Sequence, residues 1–543
     1  MSASRAQGYT PSRIVSHILS RRGIPEGEDT QRFLFPSLRH LTDPFSIPGI
    51  CEACERIRRA VHGRERVFLY GDGDADGVCA AALLLRMFEQ AGVNCSWYLM
   101  HRLEEYDISP ATIERIADSG VSLLVTVDCG TGSLPAMEAA RARGIQAVVI
   151  DHHRGAEALP EPHILVNPIV TGAPPAARYL SGTGLAFTVL RGLASLGCGC
   201  ADTDTRASVD IAAIGTIGDG VPLTGDNRVI VREGLDRLGD SANPGLRMLV
   251  ERLGARGSRE DVVFKINPRI NAPGRFGVPE TALRLLIGRR EEDLLTALRE
   301  IEALDRKRAQ TTAAALRGIA VDGIPADGIV LVEHLPASMC GILASRLAEE
   351  RNAPCLVCCA SGGVIQGSGR SVPGFDLYEA LAHRRDLFLS FGGHSGAVGI
   401  RFDRNRWDAV ADLWKQATTA ARAVDRRTLP DITVRLRDIT PALAAELARM
   451  EPFGPGNREP LFQADNAKVQ RIVRQSAGYQ VFWVSQDDAL FECAIPENAR
   501  TDIVPDERVS IVFRIRSSQQ GGLYRIWLEV TEMWKSAPEP KAS

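Results

Sequence analysis

Apolar positions follow two different rhythms along the 543 residues of this chain. Between about 63 and 235, short β-branched and aliphatic runs alternate with helical patterns, and Val67–Tyr70, Leu123–Val127 and Ala147–Ile150 are the clearest runs. Unbroken apolar runs of that length read as strands buried on both faces, as in a parallel sheet. Helical periodicity over 77–91, 110–119 and 134–143 fills the gaps, so the region predicts repeated βαβ units. The stretch Glu291–Gly318 has few breakers and a mixed-charge face, which predicts a long helix connecting two lobes. A second α/β unit follows over 325–420, with strands at 328–333 and 353–359 around a helix at 340–351. Beyond 430 the rhythm becomes alternation of period two, as in 480–484, 509–514 and 524–530. That pattern predicts half-buried antiparallel strands closing into a small OB-like β-barrel. Residues 1–62 read as short helices leading into the first strand, and the Pro- and Lys-containing tail from 536 reads as disordered.

What ends the three early runs sets the chemistry. Asp72, Asp74 and Asp76 follow the first, Asp128 the second, and Asp151-His152-His153 the third. Ligands of open α/β sheets sit outside the carboxyl ends of the strands. The tips therefore gather five carboxylates and two imidazoles into one crevice, a charge density that calls for cations. Hard oxygen ligands favour Mg²⁺ or Mn²⁺, and histidine inclines the choice toward Mn²⁺. Asp219 lies in an apolar, glycine-punctuated segment, where an unpaired carboxylate costs several kcal/mol to bury, so it joins the same cluster. The run from Asp72 also imitates an EF-hand loop. Position 12 of such a loop is Leu83, where calcium needs a bidentate glutamate, and that reading fails. In the second unit, 367–371 and 391–399 predict glycine-rich turns that present backbone N–H groups to an anion, with Arg370 and His394 as charged partners.

Composition narrows the classes. The length implies several domains, and 45% hydrophobic with 24% charged residues is ordinary for a globular protein. A net charge of −3 argues against a nonspecific polycation, while leaving room for a local basic groove. No signal pattern and no long apolar run stand out, so neither secretion nor membrane spanning is expected. The twelve cysteines lack a disulfide framework, and the CxxC pairs Cys51/Cys54 and Cys355/Cys358 lack partners for zinc. Reduced thiols and a cytoplasmic location are the expectation.

Asp74-Ala-Asp76-Gly, Asp128, Asp151-His152-His153 and Asp219 stand in the motif order of the DHH phosphoesterase superfamily, which the chain resembles. Gly-Gly-His394-Ser-Gly-Ala-Val-Gly is similar to that superfamily's associated C-terminal domain. Three further segments resemble the RecJ family of single-strand-specific exonucleases: Asn271–Arg275, Gly367–Asp376, and Glu451–Asn457 with the Arg-Glu-Pro after it. The resemblance runs from about 20 to 535. The chain departs from it at Glu105-Tyr-Asp-Ile-Ser, at Ala337-Ser-Met-Cys-Gly-Ile and at Ala397-Val-Gly, and no expected metal ligand is lost there.

The resemblance implies an α/β multidomain fold with a parallel-sheet DHH domain, a long connecting helix, a smaller DHHA1-type α/β domain and the OB-like barrel. The expected bounds are 1–62 for the lead-in, 63–240 for the catalytic domain, 241–318 for the helical region and connecting helix, 319–425 for the substrate-binding domain, 426–535 for the barrel and 536–543 for the tail. It implies two ions, Mn²⁺ or Mg²⁺, held by Asp74, Asp76, Asp128, His152 and Asp219, with Asp72, Asp151 and His153 completing the catalytic set. Arg102, Asn271, Arg275, Ser368, Arg370 and His394 would bind substrate. The implied activity is 5′→3′ hydrolysis of single-stranded DNA to 5′-mononucleotides in repair and recombination. A narrow cleft between lobes would exclude duplex, and Phe482, Trp483 and Trp527 would be candidates for stacking in the barrel. The expected enzyme is a monomer working with a single-strand-binding protein and a helicase, away from membranes. Two rivals remain at this stage: a relative that cleaves short oligonucleotides or cyclic dinucleotides, and a non-catalytic DNA-binding replication scaffold.

Overall fold

The structure is a computed structural model that describes residues 9–101, 108–154, 159–161, 163–198, 205–325, 327–332, 335–423, 429–473, 478–496, 504–520 and 523–536. The early apolar runs form β1 (Arg66–Asp72), β2 (Asn94–Met100), β3 (Leu123–Val127), β4 (Gln146–Ile150) and β5 (Ile164–Val166). They make one sheet in the order β2-β1-β3-β4-β5, and every pairing is parallel. Helix α1 (Ala75–Gln90) follows β1, α2 (Pro110–Ala117) precedes β3, and α3 (Leu134–Ala142) joins β3 to β4. Tyr70, Leu124 and Val149 pack with Ile113 and Ile116 of α2 and Met137 and Ala140 of α3, which buries one face of the sheet. Parallel strands of this kind point their carboxyl ends the same way, so residues 72, 128 and 151 emerge on one edge.

Four later helices bear on the site: α4 (Gly182–Ser195), α5 (Val209–Asp219), α6 (Asn267–Arg275) and α7 (Glu291–Asp322). The predicted connecting helix is α7, 32 residues long. After it come β6 (Ile329–Leu331), α8 (Cys340–Arg351), β7 (Cys355–Ser361), β8 (Val364–Arg370), β9 (Ser390–His394) and β10 (Ala397–Asp403). Their sheet runs β6-β7-β8-β10-β9, parallel at β6–β7 and antiparallel elsewhere. Here the expectation of glycine-rich turns at 367–371 and 391–399 is corrected: both segments are largely strand. In β8 the glycines answer to packing. A Cβ on Gly367 would lie 2.6 Å from Cys358 Sγ, and one on Gly369 would lie 2.8 Å from Val398 Cγ2 and 3.1 Å from the Trp414 ring.

The barrel is β12 (Phe462–Val473), β13 (Tyr479–Gln486), β14 (Ala489–Pro496), β15 (Arg508–Gln520) and β16 (Leu523–Lys535), closed by β12–β15, with the two-residue β11 (Ile432–Thr433) alongside β12. By Cα proximity the chain divides into two compact units, one of Met1–Leu41, Pro222–Glu233 and Thr428–Ser543, the other of Thr42–Val221 and Gly234–Arg427. Val15, Ile18 and Leu19, on the helix Arg13–Arg21, share a core with Phe462, Phe482 and Phe513, so the start of the chain is built into the barrel unit. Alternation along β13 sorts the aromatic candidates: Phe482 is fully buried in that core, which corrects its expected stacking role, whereas Trp483 faces outward, half-buried. The described cysteines are free thiols. Among the described residues no helix is long and apolar enough to cross a membrane.

Truncating a fully buried phenylalanine costs about 3–5 kcal/mol, whereas a half-exposed ring on the outer face costs about 1 kcal/mol. Phe482→Ala is therefore expected to lower the melting midpoint of the full chain, followed by far-UV circular dichroism, several times more than Trp483→Ala.

Candidate metal centre

The first strand ends in Asp72, whose Oδ1 accepts the Gly73 N–H at 2.6 Å. Asp74 then serves as the N-cap of α1, accepting the N–H groups of Asp76 (2.9 Å) and Gly77 (3.2 Å). This local turn sets Asp76 in the first turn of α1, 1% exposed. The end of β3 turns sharply at Asp128, which has φ +60°. Aspartate tolerates that left-handed conformation better than most residues. At the end of β4, Asp151 is heavily hydrogen-bonded: Oδ1 accepts the His152 N–H (2.7 Å), the His153 N–H (3.1 Å) and the His153 ring Nδ1 (2.8 Å), while Oδ2 accepts the Thr131 N–H (3.0 Å). Asp219 ends α5. A carboxylate at a helix C-terminus is electrostatically disfavoured unless a cation stands beside it.

These tips converge. His152 Nε2 lies 3.1 Å from Asp128 Oδ1, 3.8 Å from Asp76 Oδ2 and 3.9 Å from Asp219 Oδ1, and His153 Nδ1 is 4.0 Å from Asp128 Oδ1. Three overlapping groups have ligand atoms within 4.8 Å of one another: Asp72/Asp74/Asp128, Asp128/His152/His153 and Asp76/His152/Asp219. Asp128 belongs to two of them and can bridge a pair of ions. The Asp128 Oδ1 and His152 Nε2 atoms are buried and, despite their closeness, are aligned for no hydrogen bond. Buried polar atoms left so are rare and costly, and a divalent cation satisfies both. The donor set, carboxylates with imidazole, fits Mn²⁺ or Mg²⁺.

The electrostatics carry the mark of crowded like charge. Burial, with Asp219 adding repulsion, pushes Asp76 up to about 6. Burial and the charges of Asp76 and Asp74 push Asp128 well above the ordinary carboxylate range. Burial would also raise Asp151, but the His153 hydrogen bond and both imidazoles outweigh it and hold that carboxyl well below the usual value. Reciprocally, and against burial, Asp151 raises His153 to about 9.

The substrate-binding candidates are distributed as follows. Asn271 Oδ1 accepts the Ala75 N–H at 2.8 Å, so it braces the turn that carries Asp74 and Asp76. Arg275 donates from Nη1 to the Ser338 carbonyl, and Ser338 Oγ donates back to the Arg275 carbonyl at 2.9 Å. Arg370 donates to Ser368 Oγ (2.7 Å) and Ser345 Oγ (3.1 Å). Ser368 and Arg370 flank the start of α8, where a Cβ on Gly341 would lie 2.8 Å from Arg370 Nη2 and 3.3 Å from Ser368 Oγ. Arg275, Ser368 and Arg370 thus all border the segment Ser338–Gly341. His394 ends β9 in the register row His394–Ala397–Arg370. Arg102 lies outside the described residues. Residues that the pattern of acids did not reveal are Thr131 and Asn167, which brace Asp151 and the His153 carbonyl, and Gly182 and Thr183, which hold Asp76.

A parallel sheet whose strand tips deliver Asp-x-Asp, a lone Asp and Asp-His-His to one cation-binding cluster defines the DHH class of α/β proteins. Residues 66–216 match the model of the DHH family N-terminal domain, and 430–531 match that of the RecJ OB domain. The single-stranded-DNA-specific exonuclease RecJ of Bacillus subtilis is 29% identical over 92% of this chain, which spans 65% of that relative's length. The crystal structure of RecJ in complex with Mn²⁺ from Thermus thermophilus superposes with a TM-score of 0.81 at 27% identity, over 97% of this chain and 76% of that one. A crystal structure of exonuclease RecJ bound to manganese is 30% identical, with a TM-score of 0.58, over 70% of this chain and 96% of that one. The chain belongs to the RecJ family.

Asp128→Asn keeps a side chain that accepts the left-handed backbone and removes one buried charge. A carboxyl whose folded pKa is raised loses stability for the fold as pH climbs from its unfolded value of 3.8 toward the folded one. The ion-free variant is therefore expected to melt above the ion-free wild type near pH 7, and by a smaller margin at pH 5. Saturating Mn²⁺ should reverse the order, since an ion at 100 times its Kd stabilises the wild type by about 2.7 kcal/mol. Thermal melts with and without chelator check both.

Proposed function

We propose that the chain is a metal-dependent exonuclease that hydrolyses single-stranded DNA from its 5′ end to 5′-mononucleotides, in DNA repair and recombination. The observation that carries this reading is the convergence of Asp76, Asp128 and Asp219 within 4 Å of a single ring nitrogen of His152. Membership of the RecJ family supports it. Asp74, Asp76, Asp128, His152 and Asp219 would hold two ions, Mn²⁺ or Mg²⁺, with Asp72 and His153 at the margin of the same groups. When bound, such ions polarise the scissile phosphate, lower the pKa of the attacking water and stabilise the leaving oxygen.

The chain's own groups do the rest. His153, 42% exposed and raised to about 9 by Asp151, would offer a positive charge to a phosphate oxygen. Asp151 fixes the ring through its Oδ1. Arg275, Ser368 and Arg370, with Arg102 and His394, would bind the terminal phosphates, and Asn271 would act on the metal-bearing turn as well as on substrate. In the barrel, Arg471 stacks 5.2 Å over Trp483 and Arg525 stacks 5.8 Å over Trp527, a pairing of rings and cations suited to unpaired bases. The reading assigns 63–240 to catalysis, 319–425 to substrate binding and 426–535 to holding the strand. Because an enzyme confined to single strands needs duplex opened for it, a helicase and a single-strand-binding protein are the working partners, and a monomer in the cytoplasm is the working form.

Digestion of single strands labelled at either end, with Mn²⁺ or Mg²⁺, tests the proposal. A 5′ label should appear at once as mononucleotide, a 3′ label as a shortening ladder, and chelator or Asp128→Ala should abolish both; undiminished digestion by Asp128→Ala would overturn the reading. Trp483→Ala and Trp527→Ala should each raise KM for a long strand by the equivalent of about 1–3 kcal/mol, well beyond any change for a dinucleotide.

A further inference from the structure

The turn Ser181-Gly182-Thr183-Gly184, which opens α4, contributes no carboxylate or imidazole, yet it touches the centre at three points. The Gly182 N–H donates to Asp76 Oδ2 at 2.7 Å, and the Thr183 N–H donates to Asp76 Oδ1 at 3.0 Å. The Thr183 hydroxyl donates to the Asp76 backbone carbonyl at 2.6 Å, which ties the two helix starts together. A Cβ added to Gly182 would fall 2.6 Å from Asp128 Oδ1. From the other side, a Cβ on Gly215 would fall 2.0 Å from Thr183 Oγ1 and 3.0 Å from Asp76 Oδ1. Gly215 precedes Asp219 by four residues on α5, so the two share one face of that helix.

Each carboxylate oxygen has two lone-pair directions. A single N–H on each oxygen of Asp76 fixes the plane of the group and leaves the other directions for an ion. We propose that Thr183 is a positioning residue for the metal centre: with Gly182 it forms a socket at the start of α4 that holds Asp76 in its ion-binding orientation before any ion arrives, while Gly215 keeps α5 close enough to bring Asp219 to the same ion. The socket also explains how the ion-free chain tolerates Asp76 1% exposed, because two amide donors and the positive end of a helix offset its charge. This inference rests on reading the cluster as a metal centre.

Isothermal titration of Mn²⁺ into metal-stripped full chain, without DNA, separates the two. Wild type should bind, Thr183→Ser should stay within about twofold of it, and Thr183→Val should weaken binding about 10–100-fold, the range found for outer-shell partners of metal ligands. Gly215→Ala, which keeps the hydroxyl but displaces it, should weaken binding by a similar factor. Far-UV circular dichroism of each ion-free variant confirms that it is folded. The socket is overturned if folded Thr183→Val or Gly215→Ala binds Mn²⁺ as wild type does, or if Thr183→Ser loses as much as Thr183→Val. Absence of Mn²⁺ binding by wild type itself would overturn the metal-centre reading, and the socket with it.

Discussion

Like charges brought together out of water repel, and the molecule is arranged around tolerating that repulsion in one place. His152 Nε2 has Asp76, Asp128 and Asp219 within 4 Å. Burial and mutual repulsion raise two of those carboxyls, so the ion-free arrangement carries a strain that a divalent cation relieves. Every element around the site serves to hold acids where they would not gather unaided. The parallel sheet sets the strand tips on one edge, the Asp74 cap fixes the turn into α1, and backbone N–H groups share the charge until an ion takes it.

The same constraint separates two kinds of acid that look alike in a chain of residues. Asp76 and Asp128 are raised by burial among like charges, whereas Asp151 is lowered because the His153 hydrogen bond and both imidazoles outweigh its burial. One set is poised to receive a cation. The other anchors the histidines. His153 lies between them, its Nδ1 2.8 Å from Asp151 Oδ1 and 4.0 Å from Asp128 Oδ1. The second lobe is tied to this centre through α6, where Asn271 braces the metal-bearing turn and Arg275 exchanges hydrogen bonds with Ser338. One nine-residue helix thereby links the turn that carries Asp74 and Asp76 to the segment Ser338–Gly341.

The architecture was largely legible in the hydrophobic pattern. Val67–Tyr70, Leu123–Val127 and Ala147–Ile150 became β1, β3 and β4, and the long connecting helix extends from Glu291 to Asp322. Strand tips were legible for a local reason: an apolar run that stops at an acid states both where the strand ends and what stands there. Glycine was the misleading sign. The segments 367–371 and 391–399 suggested turns, yet they are largely strand; in the first the space a side chain would need at Gly367 or Gly369 belongs to Cys358, Val398 and Trp414, while in the second Gly393 stands at φ +134°. Composition cannot distinguish a glycine kept for its backbone freedom from one kept because a neighbour fills the gap.

The acids, the imidazoles and the period of the strands were thus determined by the sequence itself, since charge and hydropathy are properties of individual side chains. Tertiary structure alone decided which donors meet them. The amides of Gly182 and Thr183 hold Asp76 across more than a hundred residues of chain, the Ala75 amide of the same turn finds the Asn271 side-chain oxygen across 196, and the helix Arg13–Arg21 completes the core of the last barrel. A backbone N–H is the same in nearly every residue, so nothing in the order of amino acids marks the few that will face a carboxylate; only the folded path of the chain selects them.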